Sequence, residues 1–95
     1  MRINFIICPA KIEDKLISKH HVTTLKARQA LMNRPRIHFA EQGFIEGENV
    51  YAAFGCTFAG RYLSVFYIYK PNSHTAIIIS ARDMSKKERR SYGRK

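Results

Sequence analysis

The chain has 95 residues, enough for a single domain spanning 1–95 with one modest core. Its hydrophobic fraction of 45% and aromatic fraction of 12% exclude a disordered chain. A net charge of +10, from 17 Lys and Arg against 7 Asp and Glu, points to an anionic partner: RNA, DNA, an acidic protein or an anionic membrane.

In chain order, Arg2 to Cys8 reads as a short strand or an extended lead-in. The apolar run from Ile3 contains Asn4 and is too short for a signal core or a membrane span. A soluble, cytoplasmic protein is therefore expected. Pro9 suits a helix's first turn, and Ile12, Leu16 and Ile17 recur at helical spacing up to about Lys19. "KHHV" breaks that pattern. Thr23 or Thr24 can cap a second helix, with a weak apolar stripe of Ala27, Ala30 and Leu31. Asn33, Arg34 and Pro35 stop it.

After Pro35 the period changes to two. "RIHFAEQ" alternates as a strand, with Ile37 and Phe39 on one face and His38 on the other. Gly43 to Gly47 reads as a loop, and "NVYAAFGCTF" as the next strand. Ala59-Gly60 signals a turn. "RYLSVFYIY" is nearly all apolar, as in a central strand buried on both faces. "PNS" turns the chain into "TAIIISAR", the fourth strand of an antiparallel meander. Ser85 and Glu88 then form an S-x-x-E capping box for a short basic helix. The expected class is α+β: two N-terminal helices packed on one face of a sheet of about four strands, then that helix.

Half of the net charge lies at the C-terminus. Residues 82–95 hold seven basic residues and two acids, a net of +5. Strict alternation places Ile78, Ser80 and Arg82 on one strand face, with Arg82 beside the basic helix. Arg61 starts the neighbouring strand. The two guanidiniums can meet around an anion, and phosphate fits their bidentate forks. The plainer arrangement is that each arginine reaches a separate surface acid.

His20 ends the first helix beside Lys19. Imidazole titrates near neutral pH, so His20 is a candidate for proton transfer; a capping histidine is the plainer reading. His21, His38 and His74 are weaker candidates. Cys8 and Cys56 are far apart without CxxC spacing, so neither a disulfide scaffold nor a zinc site is expected; both read as small buried hydrophobes. No Gly-rich phosphate loop or HExxH is present, and no cofactor is expected. Seven scattered acids disfavour a two-metal nuclease. The affordable chemistry is metal-independent RNA cleavage, in which the substrate's 2′-OH attacks the adjacent phosphate.

"KHHVT", "GRYLSVFYIYK" and "IISARDMSKKERRSY" together carry a resemblance. In order and spacing they are similar to the BrnT family of type II toxin–antitoxin toxins, small ribonucleases with a RelE-like fold. The resemblance covers most of the chain. Where the family often has Gly or Asn, this chain has His21; "ICPAK" replaces a common Trp-Asp near the N-terminus.

The resemblance implies an RNA-cleaving toxin that halts translation. It also implies neutralisation by a BrnA-like antitoxin, with operator DNA contacted only through that partner. Residue by residue, it implies proton transfer for His20 and phosphate stabilisation for Arg61 and Arg82. RNA contacts fall to Lys19, Ser80 and Arg89, and the capped helix sets Lys86 beside them as a further RNA contact. Glu88 serves its capping box or pairs with Arg82, and Tyr92 matches the family's terminal aromatic. The alternative reading is a non-catalytic RNA-binding module or an inactive relative. DNA binding lacks a recognition helix, because the last helix is short and terminal.

Overall fold

The computed structural model describes residues 1–43 and 47–93. The expected loop at Gly43 to Gly47 thus lies partly outside the described residues. The elements run β1 (Phe5–Ile7), α1 (Ala10–His20), α2 (Thr24–Met32), β2 (Arg36–Glu41), β3 (Val50–Cys56), β4 (Tyr62–Lys70), β5 (Thr75–Asp83) and α3 (Lys86–Gly93). The class is α+β, as the change of period predicts.

The sheet corrects the expected strand number. It has five strands in the order β1-β5-β4-β3-β2, and it is mixed rather than purely antiparallel. The meander of β2 to β5 is antiparallel, whereas β1 pairs with β5 in parallel, Phe5 opposite Thr75 and Ile7 opposite Ile77. Three residues of β1 are too few for periodicity to show. The Tyr69 hydroxyl ties the N-terminus down by donating to the Arg2 carbonyl at 2.5 Å. Burial holds the Tyr67 phenol protonated well above the usual tyrosine range, and its hydroxyl donates to the Met1 sulfur at 3.1 Å.

One sheet face carries the core. Leu16 of α1, Val22, and Ala27, Ala30 and Leu31 of α2 pack with Ala53, Leu63, Val65, Tyr67, Ile78 and Ala81. Small residues make this layer thin. Ala30 lies so close to β3 that a Cβ on Gly55 would sit 2.2 Å from the Ala30 carbonyl oxygen. Gly55→Ala is therefore expected to push α2 off the sheet and destabilise the fold by about 1–3 kcal/mol, as overpacking does. A denaturant midpoint equal to wild type would contradict that packing.

The helix starts follow their signals. Pro9 precedes α1 with φ −57°, and the Thr23 hydroxyl accepts from the Lys26 amide at 3.2 Å to cap α2. Ser85 and Glu88 close the capping box reciprocally. The Glu88 amide donates to the Ser85 hydroxyl at 3.1 Å, and the Ser85 amide donates to the Glu88 carboxylate at 2.9 Å. Cys8 and Cys56 are free and half-buried, so they are less enclosed than expected.

A β-bulge corrects the expected alternation along β5. Ser80 pairs with Phe66 and Ile78 with Tyr67, which leaves Ile79 as an extra residue. The bulge inverts the pattern from there. Ile78 and Ala81 both join the core, while Ser80 and Arg82 lie on the opposite face. Ile78 therefore does not share a face with Ser80 and Arg82. No helix among the described residues is long and apolar enough to cross a membrane.

Candidate functional site

The C-terminus of α1 is closed by an arginine. His21 takes the left-handed conformation at φ 53° and ψ 38°, and the Val22 amide folds back to the Leu16 carbonyl at 3.0 Å. Such an end leaves carbonyls without partners. Arg61 fills the gap from the β3–β4 turn. Its Nη2 donates to the His20 carbonyl at 2.9 Å and its Nη1 to the His21 carbonyl at 2.8 Å.

The same guanidinium holds Asp83 through Nε at 2.7 Å and Nη2 at 3.2 Å. These hydrogen bonds depress the Asp83 carboxyl below the usual range, and the nearby His20 adds to the effect. Arg61 thus clips three elements together: the end of α1, the start of β4 and the end of β5. Lys19 is exposed and His20 half-buried beside this clip.

Arg82 sits on the other sheet face. Its Nη1 and Nη2 donate to the two Glu88 oxygens at 2.7 and 2.9 Å, and its guanidinium lies 5.3 Å from the Phe66 ring centre. Glu88 also accepts from the hydroxyl of buried Ser64 at 3.0 Å. Hydrogen bonds from Arg82, then from the Ser85 amide and Ser64, lower the Glu88 carboxyl to about 2. One carboxylate thereby caps α3 and fastens it to the sheet.

The expected meeting of Arg61 and Arg82 around an anion is therefore corrected. Leu63 pairs with Asp83 and Ser64 with Arg82, so the two arginines' contacts fall on opposite faces. Each arginine holds a carboxylate of its own, which is the plainer arrangement allowed by the sequence.

Many of the described cations stand outside ion pairs, and three of them gather in one cleft on α3. Among the described residues the ion pairs are Arg61–Asp83, Lys70–Glu48 and Arg82–Glu88. Lys86, Arg89 and Arg90 take part in none of them. With Tyr62, Tyr92 and Gly93 they line a cleft of about 590 Å³. A second cleft, about 330 Å³, is lined by Gly60, Arg61, Tyr62, Asp83, Met84 and Arg89. The clefts share Tyr62 and Arg89, so a groove leads from α3 toward the Arg61 clip.

Of the expected site residues, Lys86, Arg89 and Arg61 line this groove; the His20 carbonyl is held by Arg61 at its far end, and Lys19 precedes His20 in α1. Ser80 is half-buried opposite Phe66 and lines neither cleft. Tyr62 and Arg90 escaped sequence reasoning. A signal for Arg90 existed: Lys86, Arg89, Arg90 and Gly93 recur at one-face helical spacing. Tyr62 looked like one more apolar strand residue. Among the described residues no three His, Cys, Asp or Glu side chains gather as metal ligands.

No curated protein matches the chain. Residues 9–88 match a family model described as ribonuclease toxin, BrnT, of type II toxin–antitoxin system.

Proposed function

The chain belongs to the BrnT family of type II toxin–antitoxin ribonuclease toxins, and from that premise we propose that it cleaves RNA without a metal ion. The observation that carries this reading is the groove. It combines three cations that enter none of the ion pairs among the described residues with exposed aromatic surface, near the end of α1 that carries His20.

Lys86, Arg89 and Lys19 hold the RNA backbone. The substrate's 2′-OH attacks the adjacent phosphorus, and the bond to the departing 5′ oxygen breaks. The products are a 2′,3′-cyclic phosphate and a 5′-hydroxyl. His20 takes the 2′ proton or supplies one to the leaving oxygen. Neighbouring cations stabilise the charge that builds on the phosphorane. Arg61 acts as a positioning residue through the α1 carbonyls, and Arg82 acts through Glu88 by seating α3.

The whole chain is a single RelE-like toxin domain in this reading. It works in the cytoplasm and halts translation. A BrnA-like antitoxin neutralises it, and operator DNA is contacted only through that partner. The carboxylate-bound state of Arg61 and Arg82 favours one competing reading, a non-catalytic RNA-binding module.

Purified protein is expected to cut RNA, alone or on ribosomes, with EDTA present, leaving cyclic-phosphate ends. His20→Ala is expected to lower the rate about a hundredfold or more while RNA binding survives. RNA left uncut under both conditions would establish the binding module instead. Cleavage that EDTA abolishes would end the metal-free mechanism.

A further inference from the structure

We propose that Tyr62, Arg89 and Tyr92 form a nucleobase-stacking site that grips one unstacked base of the substrate strand. It rests on the RNA reading above and adds a ligand contact that phosphate binding does not require.

Tyr62 opens β4, yet its side chain is turned into the groove and the residue remains 37% exposed. The Arg89 guanidinium lies over its ring, 4.4 Å from the centre. Tyr92 stands edge-on to the same ring at 5.9 Å. A planar guanidinium already laid on an aromatic face offers a second flat surface for stacking. Tyr92 walls one side. Lys86 and Arg90 line the same cleft as Arg89 and can take the flanking phosphates.

The groove is open beside Gly60. Among the described residues a Cβ there would meet no atom within 4 Å. A strand can therefore approach at that end without displacing described backbone. An isolated phosphate would need the cations alone. The interleaved rings match a nucleic acid, whose bases present π-faces beside a charged backbone.

The chemical consequence is register. A base held at the Tyr62–Arg89 stack sets which phosphodiester reaches the His20 end. Stacking tolerates every base but favours the larger ring system. The site therefore selects purine over pyrimidine at one position, with no hydrogen-bond code.

The chain contains no tryptophan, so Tyr62→Trp supplies a single indole reporter. The probe is a short single-stranded RNA, 2′-O-methylated to block cleavage, with one abasic nucleotide walked along it. Intact RNA is expected to quench the indole. An abasic residue at one position is expected to abolish quenching and weaken binding roughly 5- to 150-fold, the usual worth of one stacked base. Tyr62→Phe keeps wild-type affinity, and Tyr62→Leu loses it by a similar factor. Arg89→Lys weakens binding without changing the salt dependence, since the charge stays and the flat surface goes. Circular dichroism of each variant checks the fold. A flat abasic scan with RNA bound, or a folded Tyr62→Leu protein with wild-type affinity, overturns the stacking site alone. A wild-type protein that binds no RNA overturns both readings.

Discussion

Glu88→Ala is expected to free α3 from the sheet and cost about 2–3 kcal/mol of stability. Three partners lose their acceptor together: Arg82, buried Ser64 and the Ser85 amide. Desolvated Ser64 is then left without this partner. The loss also reaches function, because Lys86, Arg89 and Arg90 ride on α3. RNA affinity is expected to fall even though Glu88 is an acid, and removing an acid from a phosphate-binding protein ordinarily strengthens binding. The opposite sign makes the test sharp.

The effect has a definite pH window. The Glu88 carboxyl drops from an ordinary 4.5 to about 2 in the folded protein. Its contribution is present in full above the ordinary value and is lost as pH falls through the folded one. Denaturant titrations of wild type and Glu88→Ala are expected to differ most near neutrality and to converge toward pH 2. Glu88→Gln keeps the shape without the charge and should lie between them. A gap that does not narrow in acid would show that Glu88 acts through packing rather than charge.

Arg61→Ala is expected to reduce single-turnover cleavage about a hundredfold while changing RNA affinity only a few-fold. Its guanidinium is already satisfied by Asp83 and by the His20 and His21 carbonyls. Removing it loosens the helix end that carries His20, so the reacting geometry suffers more than binding. Arg61→Lys is expected not to rescue, because one ammonium cannot span a carboxylate and two carbonyls. Rate and affinity falling together, with rescue by lysine, would show instead that Arg61 grips the phosphate directly.

Much of this device was legible in the chain. Ser85 and Glu88 announced the α3 cap, because a capping box is a local pattern with local partners. The change of period at Pro35 separated helices from strands, and the basic character of residues 82–95 pointed at the groove. What stayed hidden was non-local. The bulge at Ile79 depends on how β4 lies beside β5, and three isoleucines in a row carry no mark of it. Asp83 reads as one acid among many cations until Arg61 is brought across the strand end. Tyr62 resembles its apolar neighbours in β4, and only the placement of α3 turns it into a wall of the groove. The resemblance to a known family supplied the substrate class, but it did not separate residues that touch substrate from residues that brace them.

The parallel pairing of β1 with β5 bears on the order of assembly. β2 to β5 can zip by successive hairpins, each joining neighbours in sequence. β1 must wait until the fifth strand exists, and closing that long loop brings little reward until the edge of β5 is in place. The earliest of the five strands in chain order is thus the last to dock. Weakening β1 would hasten unfolding far more than it would slow folding. The lifetime of the folded protein therefore rests on its shortest strand.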